Sequence, residues 1–370
     1  MAKRIAIVVS FSGQGGVERM MLNLAGGLVD QGCRVDLLPI KSEPHGVARI
    51  SPGVRVVTPI GRHTWSSLPA LARYLSREAP DALLSAKDRA NRMAVIARWT
   101  ARCNTRLVVR MGTTVSAALT SATGLKRWLW YRAMGWTYTR VDGIVAVSRG
   151  VAEDMARIAG IPRRRVTVIP NPVISSRLAA LASEPPDHPW LRDNGPPVIV
   201  GMGRLTRQKD FSTLIRGVAQ LQDLIPSRLI IIGDGKDRKA LASLASALGI
   251  RDRVDFPGFL NNPYGILGKA HLFCLSSIWE GSPNALTEAM ALGVPVVATD
   301  CPSGPMELLD GGRIAPLVPM RDPGALAEAM AKTLTDRPDG GELKRAVAAY
   351  TVENSARGYL KLLIPEADGP

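Results

Sequence analysis

The sequence predicts an α/β protein built from two doubly wound domains. Three observations predict this fold: strands and helices alternate along the chain, most strands are nearly continuous apolar runs, and one proline-rich segment interrupts the alternation. Continuous apolar strands are typical of parallel sheets that are covered on both faces. The chain has 370 residues, which is more than one domain usually holds.

The first half opens with the apolar strand "KRIAIVVS" (3–10) and a helical stretch over 15–32. In that stretch Val17, Met20, Met21, Leu24 and Leu28 recur at helical spacing. Further strands are predicted at 34–40, 54–60, 81–86, 106–111, 143–148 and 166–172. This order predicts a first domain over residues 1–175.

A break follows at 170–196, where five of the fifteen residues in "SEPPDHPWLRDNGPP" are proline, as in a linker. The alternation then restarts, with strands predicted at 197–203, 228–235, 253–259, 272–277 and 294–300. We therefore expect a second domain over 176–349. The segment 350–370 contains a helical stretch, which we expect to pack back on the first domain.

Charge is divided unevenly between the two halves. Residues 1–180 contain 27 Lys and Arg against 10 Asp and Glu, a net of +17, while residues 181–370 contain 20 against 22, a net of −2. The cationic half predicts an anionic partner, which could be nucleic acid, phospholipid or a phosphorylated substrate. A solubilising surface is the alternative interpretation.

Other classes of protein fit the sequence less well. The chain has no run of 18 apolar residues, so we expect no transmembrane helix. Its first residues lack the cleavage site of a signal peptide, and its four scattered cysteines have no metal-ligand spacing. These features predict a cytoplasmic protein with reduced thiols.

The candidate site residues follow the strands of the second half. Arg204 and Lys209 follow strand 197–203 in "GMGRLTRQKDF", where cations can hold a diphosphate. Gly233 and Gly235 follow the next strand and let the backbone approach a neighbour or a ligand closely. The glycines of "GDGKDR" do not complete a dinucleotide fingerprint, which disfavours a dehydrogenase.

Two acids flank a tight turn in "SSIWEGSPNALTEAMALGVPVVATD" (276–300). Glu280 follows a strand, and Glu288 lies one turn inside a helix that begins near Asn284. The start of a helix suits a phosphate, whereas carboxylates suit sugar hydroxyls. The alternative is a capping acid and an unrelated surface acid.

These segments resemble glycosyltransferase family 4, whose members are retaining enzymes of GT-B architecture, with two Rossmann-like domains facing each other across a cleft. The resemblance is carried by "EGSPNALTEAMALGVPVVATD", "GRLTRQKDF", "GDGKDRKAL", "FPGFLNN" and "CPSGPMELL" in the second half. It continues in "GGVERMMLNLAGGL" and "IVAVSRGVAEDMARIAGIPRRRVTVIPNPV" in the first half. The Glu280 to Glu288 spacing is its strongest element.

The resemblance implies a role for each candidate residue. Arg204 and Lys209 would hold the donor diphosphate, Glu280 would contact the donor sugar, and Glu288 would contact the ribose. The remaining donor contacts implied are Gly15, Gly16, Gly233, Asp234, Ser282, Pro283, Asn284 and Ala285. The donor implied is a nucleotide sugar, with UDP favoured over GDP, and neither a metal nor another cofactor is implied.

One departure concerns the acceptor side. Many relatives have a histidine near the end of the fifth strand, where this chain has "LVVRMGTT", and none of its four histidines lies in an obvious substitute position. Arg110 could take part of that role by binding an acceptor phosphate. Lys87, Arg89 and Arg92 form a second candidate acceptor wall.

A segment rich in tryptophan and cations predicts a membrane contact. "GLKRWLWYRAMGWTYTR" (124–140) contains Trp128, Trp130 and Trp136 beside Lys126 and Arg127. Aromatic and cationic side chains together are typical of interfacial helices, although a core helix is the alternative. We therefore expect peripheral association with the inner face of the cytoplasmic membrane and a glycan or polyprenyl-linked or other lipid-linked acceptor.

The sequence thus favours a sugar-nucleotide glycosyltransferase of cell-envelope polysaccharide or lipopolysaccharide synthesis. A sugar-nucleotide epimerase or hydrolase of the same two-domain fold is the alternative. A nucleic-acid binder is suggested by charge alone, and it would have no use for the two glutamates, so we expect no nucleic-acid partner.

Overall fold

The structure, a computed structural model, describes residues 2–11, 16–40, 50–57, 61–120, 122–192 and 194–365. The chain divides into two compact units. Unit 1 comprises Met1–Val173 and Tyr350–Pro370, and unit 2 comprises Ile174–Ala349. The sequence places the first boundary two residues later.

Unit 1 is built on a seven-stranded parallel sheet with the order β3-β2-β1-β4-β5-β6-β7. Its strands are β1 (Arg4–Ser10), β2 (Arg34–Ile40), β3 (Val54–Val56), β4 (Ala82–Ala86), β5 (Arg106–Met111), β6 (Gly143–Ala146) and β7 (Val166–Val168). Its helices up to β7 are α1 (Gly16–Asp30), α2 (Leu68–Glu78), α3 (Asp88–Ala101), α4 (Val115–Ala118), α5 (Gly124–Tyr138) and α6 (Arg149–Ala159).

Unit 2 repeats this plan with six parallel strands in the order β10-β9-β8-β11-β12-β13. The strands are β8 (Val198–Met202), β9 (Arg228–Ile232), β10 (Val254–Gly258), β11 (Leu272–Leu275), β12 (Val296–Thr299) and β13 (Leu317–Val318). The helices are α7 (Ser176–Ser183), α8 (Phe211–Leu221), α9 (Arg238–Ala247), α10 (Tyr264–Leu267), α11 (Asn284–Ala291), α12 (Pro305–Leu308), α13 (Pro323–Thr335) and α14 (Gly340–Ala346). The two-residue strand β13 is absent from the strands that the sequence predicts.

The first strand shows why its sequence is apolar throughout. β1 pairs with β2 on one side and β4 on the other, so it lies inside the sheet. Ile5, Ile7 and Val9 belong to one buried cluster, and Ala6 and Val8 belong to another. Because successive side chains of a strand point to opposite faces, a sheet covered on both faces needs apolar residues at every position.

The last described helix is α15 (Val352–Leu363), which packs in unit 1. Ala356, Tyr359 and Leu363 join the buried cluster that contains Ile5, Ile7 and residues of α1. The Arg106 Nε atom donates to the Leu362 carbonyl oxygen at 2.7 Å. This helix therefore covers one face of the unit 1 sheet.

The length and composition of the helices decide whether any of them could cross a membrane. Among the described residues, every helix is too short or too polar to cross a bilayer.

Candidate functional site

The strand order of unit 2 brings two distant loops together. The chain runs outward from β8 through β9 to β10 and then returns to the other side of β8 as β11. Ligands of doubly wound sheets bind at such a point, beyond the carboxyl ends of the strands. The Ile278 amide donates to the Gln208 carbonyl oxygen at 2.9 Å, and Ser276 Oγ donates to the Lys209 carbonyl oxygen at 2.8 Å. The loops after β8 and β11 therefore form one surface.

Two of the candidate residues make a direct ion pair on this surface. The Lys209 Nζ atom lies 2.5 Å from Glu280 Oε1, and the two side chains are 18% and 8% exposed. Ser277 Oγ donates to the same carboxylate oxygen at 2.6 Å. Such short, partly buried contacts orient the carboxylate before any ligand arrives.

Sequence reasoning missed two residues next to this ion pair, Ser277 and Gly203. Ser277 itself is supported from β12, because Thr299 Oγ1 donates to the Ser277 carbonyl oxygen at 2.6 Å. A Cβ atom at Gly203 would lie 2.9 Å from Lys209 Cε, so glycine leaves room for the lysine stem. Ser277 precedes Glu280 by three residues at the end of a strand, which is the signal that could have found it.

The turn after Glu280 leads into helix α11. Gly281, Ser282 and Pro283 are buried, whereas Asn284 and Ala285 are partly exposed at the start of the helix. Backbone amides in the first turn of a helix lack helical partners and attract anions. This turn and the start of α11 follow Glu280 directly in the chain, and their contact with a phosphate stays a prediction.

Glu288 lies deeper than the sequence suggests. The residue is 0% exposed, and Tyr264 Oη donates to its Oε1 atom at 3.0 Å. Tyr264, at the start of α10, is a hydrogen-bond partner of Glu288 that the sequence reasoning did not identify. The predicted ribose contact of Glu288 remains a prediction.

The turn at Gly233 and Asp234 supports the loop that contains Arg204. A Cβ atom at Gly233 would lie 2.1 Å from the Gly203 carbonyl oxygen, and Gly233 has a φ of +134°. The Leu205 amide donates to the Asp234 carbonyl oxygen at 2.9 Å. Gly233 is thus needed because the backbone of Gly203 packs against it. The side chains of Asp234 and Arg204 are exposed, and their predicted contacts with the donor remain predictions.

The electrostatics of the site also affect a nearby thiol. Cys301 is buried next to this network, and burial, assisted by the Glu280 carboxylate, raises the pKa of its thiol to about 12. The thiol is therefore protonated at neutral pH and is a poor nucleophile.

The candidate acceptor residues of unit 1 already have partners within the chain. Arg110 is buried, and its Nη2 atom donates to Asn171 Oδ1 at 2.6 Å. The Lys87 Nζ atom donates to the Ser10 carbonyl oxygen at 2.5 Å and lies 3.1 Å from the buried Glu18 carboxylate. An acceptor phosphate would have to compete with these contacts.

The other two residues of the candidate acceptor wall, Arg92 and Arg89, differ in their contacts and exposure. The Arg92 Nη2 atom lies 2.5 Å from Asp88 Oδ2, whereas Arg89 is exposed. Burial raises the pKa of the Asp88 carboxyl above its ordinary value, although Arg92 opposes the shift. Gly16 is the exposed first residue of α1, and Gly15 lies outside the described residues.

A cavity of about 230 Å³ lies at the carboxyl ends of β4 and β5 in unit 1, and we call it the strand-edge cavity. Its charged lining residues are Lys87, Asp88 and Arg110. Its apolar lining includes Met111, Leu119 and Trp130. The cavity is smaller than sites for drug-sized ligands, so its size suits about one sugar ring.

Within the part of the chain that the structure describes, His, Cys, Asp and Glu side chains form no group of three that could hold a metal ion.

Comparisons with protein families match nearly the whole chain in two parts. Residues 14–177 match the family described as Glycosyltransferase Family 4, and residues 186–352 match the family described as Glycosyl transferases group 1.

Two curated relatives match part of the chain. The lipopolysaccharide core biosynthesis glycosyltransferase LpsE of Rhizobium meliloti is 30% identical over 61% of this chain and 65% of its own length. The N-acetylgalactosamine-N,N'-diacetylbacillosaminyl-diphospho-undecaprenol 4-alpha-N-acetylgalactosaminyltransferase of Campylobacter jejuni is 28% identical over 61% of each chain. The chain thus spans less than two thirds of the length of these two relatives.

The solved structure of HepE from Anabaena, in complex with UDP and glucose, superposes on 98% of this chain and 99% of its own. The TM-score is 0.79 and the sequence identity is 19%, so this likeness concerns the fold.

Proposed function

The chain belongs to the family 4 glycosyltransferases of GT-B fold, and from that premise we propose that it transfers a sugar from a nucleotide-diphosphate sugar to an acceptor of cell-envelope glycan synthesis. The observation that carries the proposal is the Lys209–Glu280 pair at the strand-order reversal of unit 2, followed directly by the start of α11. This arrangement offers a cation, a carboxylate and the start of a helix at the position where doubly wound sheets bind nucleotides.

The donor that we propose is a UDP-sugar. Arg204, Lys209 and the first amides of α11 provide positive charge for a diphosphate, and Glu280 provides an acceptor for sugar hydroxyls. Glu288 would reach the ribose. HepE, which shares the fold, was crystallised with UDP and glucose, which supports a uridine nucleotide.

We propose that the reaction retains the anomeric configuration and needs no metal. As the bond between sugar and diphosphate breaks, negative charge grows on the leaving phosphate. Lys209, Arg204 and the helix start can stabilise that charge without a metal, and preorganised groups of this kind contribute about 3–4 kcal/mol each. Glu280, oriented by Lys209 and Ser277, would hold the sugar while the bond from the anomeric carbon to the diphosphate breaks and the bond to the acceptor oxygen forms.

The acceptor that we propose is a glycan or a lipid-linked glycan. LpsE is named for lipopolysaccharide core biosynthesis, and the Campylobacter relative is named for an acceptor linked to diphospho-undecaprenol. Unit 1 would bind the acceptor, because its strand-edge cavity has about the volume that a sugar ring needs.

We further propose that unit 1 docks on the cytoplasmic face of an anionic membrane through α5. Leu125 and Trp128 on this helix are 70% and 56% exposed, and Leu129 and Trp136 are exposed as well. Met134, Thr137 and Tyr138 of this helix are buried, and Trp130 and Tyr131 are partly buried against the core. Exposed aromatic and aliphatic side chains beside cations are typical of interfacial helices.

The membrane surface that we propose extends to the end of α3. The Arg98 Nη2 atom donates to the Arg140 carbonyl oxygen at 2.6 Å, which brings the end of α3 next to the end of α5. Trp99, at that end of α3, is 81% exposed. Sequence reasoning did not connect Trp99 with this surface, because the two helices lie 22 residues apart in the chain.

The function is tested with the full-length protein and a panel of UDP- and GDP-sugars. We expect one donor to raise the melting temperature and to release nucleotide only when a membrane-lipid extract is added. Glu288→Gln should weaken donor binding by about 1–3 kcal/mol, because the hydroxyl contacts weaken. Mass spectrometry of the products separates transfer from hydrolysis or epimerisation, and the proposal fails if the sugar is released or isomerised rather than transferred.

Docking is tested by sedimentation with phosphatidylglycerol-containing vesicles at low and high salt. Each surface cation contributes about 1 kcal/mol to such binding, so the double reversal Lys126→Glu with Arg127→Glu should abolish most of it. Lys239→Glu, an exposed charge reversal in unit 2, is the matched control. Binding that ignores both salt and the double reversal would contradict docking.

A further inference from the structure

The ion pair in unit 2 joins two residues that the proposed function assigns to different parts of the donor. Lys209 is assigned to the diphosphate, and Glu280 is assigned to the sugar. In the structure the Lys209 Nζ atom lies 2.5 Å from Glu280 Oε1, and both side chains are mostly buried. The charge that the diphosphate needs is therefore already compensated by a carboxylate of the chain itself.

The stem of the Lys209 side chain is fixed by its surroundings. The Lys209 amide donates to the Thr206 carbonyl oxygen at 2.9 Å, and the Lys209 carbonyl oxygen accepts from Ser276 Oγ at 2.8 Å. A Cβ atom at Gly203 would lie 2.9 Å from Lys209 Cε and 3.2 Å from Cδ, so the stem passes close to this glycine. The ammonium group at its end has three donors and can contact more than one anion.

The Glu280 carboxylate is held in place from the other side of the pair. Ser277 Oγ donates to Glu280 Oε1 at 2.6 Å, and the Glu280 amide donates to the Pro302 carbonyl oxygen at 2.6 Å. Because the side chain is mostly buried, water screens its negative charge poorly. An anion that approaches Lys209 therefore also meets the field of this carboxylate.

A nucleotide sugar and a free nucleoside diphosphate differ in what they offer to Glu280. Both carry a diphosphate that draws the Lys209 ammonium group away from the carboxylate. The sugar of the first ligand brings hydroxyl groups, which can donate to Glu280 and replace the contact with Lys209. The free diphosphate brings no such donor, so it leaves a mostly buried carboxylate without its cation, which is unfavourable.

From these contacts we propose that Glu280 makes the donor site select a nucleotide sugar over the sugar-free nucleoside diphosphate, because it competes with the diphosphate for Lys209. This inference rests on the proposed transferase function and goes beyond it, since it assigns to Glu280 a repulsive role toward the spent nucleotide. Specificity commonly depends on such a repulsive element beside the attractive contacts. Once the sugar has left, the carboxylate takes Lys209 back, which favours release of the nucleotide.

The probe is UDP, titrated by calorimetry into the full chain and into the variant Glu280→Gln. The amide keeps the size of the side chain but not the charge, so we expect the variant to bind UDP about tenfold more tightly. The same variant is expected to transfer sugar more slowly, and general damage to the site would lower both quantities. Glu280→Ala removes the carboxylate by truncation and should show the same gain, which covers the case in which the glutamine variant folds poorly.

Two controls separate this effect from a change in overall charge. Glu328→Gln removes an exposed carboxylate of α13 in unit 2 and should alter UDP binding by less than about twofold. Uridine, which has no phosphate, should bind the unchanged protein and Glu280→Gln equally within the same limit. The proposal is overturned if folded Glu280→Gln and Glu280→Ala bind UDP no more tightly than the unchanged protein. It is equally overturned if uridine or the Glu328→Gln variant shows the same gain.

Failure of this inference can be distinguished from failure of the proposed function. If the unchanged protein transfers a sugar from a UDP-sugar but the Glu280 variants show no gain for UDP, only the selective role of Glu280 is wrong. If the unchanged protein and the variants bind neither UDP nor any nucleotide sugar, and release no nucleotide, the transferase function itself is wrong.

Discussion

The two units share a strand plan but use the carboxyl ends of their strands differently. In unit 2 the loops after β8 and β11 bring Lys209 Nζ and Ser277 Oγ to the same carboxylate oxygen of Glu280. In unit 1 the cations near β4 and β5, Lys87 and Arg110, are bound to the chain's own oxygen atoms. Exposed cations and tryptophans of unit 1 include Lys126, Arg127 and Trp128 on helix α5 and Trp99 on α3. The same sheet order therefore provides positions, and the side chains decide whether a position binds a ligand or supports the fold.

The largest expected effect tests the contacts that Lys209 and Ser277 make with Glu280 in unit 2. Glu280→Gln keeps the size of the side chain but removes the charge that Lys209 and Ser277 contact, so we expect transfer to fall by about 10²–10³-fold. The measurement is the transfer rate at saturating donor, with thermal melting to check the fold. A variant that transfers at the normal rate would remove Glu280 from the reaction.

The next effect tests whether the strand edge of unit 1 supports the fold. Asn171→Ala removes the Oδ1 atom that accepts from the buried Arg110 guanidinium. We expect the free energy of unfolding to drop by about 1–3 kcal/mol, because a buried donor loses its partner. Urea denaturation measures the loss, and donor binding should stay unchanged. Unchanged stability with weaker acceptor binding would instead assign Arg110 to the ligand.

A smaller effect is expected from the residue that positions Glu280. Ser277→Ala removes the hydrogen bond from Ser277 Oγ to Glu280 Oε1, while Lys209 remains. We expect kcat to fall about five- to tenfold, equivalent to roughly 1 kcal/mol, with little change in the donor KM. Ser277→Thr, which keeps a hydroxyl, should recover most of the rate. A loss that threonine does not restore would indicate a packing defect.

The smallest expected effect concerns the thiols. Because burial raises the pKa of Cys301 to about 12, its thiolate fraction at pH 8 is only about one in 10⁴. Iodoacetamide should therefore label the partly exposed Cys33 and Cys103 of unit 1 well before Cys301 and the buried Cys274 of unit 2. Peptide mapping after brief labelling measures this order, and rapid modification of Cys301 would show that the unit 2 network opens in solution.

Much of the fold could be predicted because its strands are buried on both faces. β2 and β5 have the predicted bounds, since each begins at an arginine, is mostly apolar, and ends before a lysine or a glycine. β13 was missed because two residues carry no detectable period. The turn at Gly233 was interpreted as a close approach to a neighbour or a ligand, and the structure shows that one neighbour is the backbone of Gly203.

The amino-acid sequence alone predicts two α/β repeats and places Glu280 and Glu288 on either side of a helix start, because both features depend on residues close together in the chain. The contact of Glu280 with Lys209, 71 residues away, and that of Tyr264 with Glu288 appear only in the folded chain. The fold also leaves residues 124–129 of α5 exposed while it buries Met134, Thr137 and Tyr138. These outcomes depend on the return of β11 to the side of β8 and on the packing of α5 against unit 1, and local residue patterns encode neither.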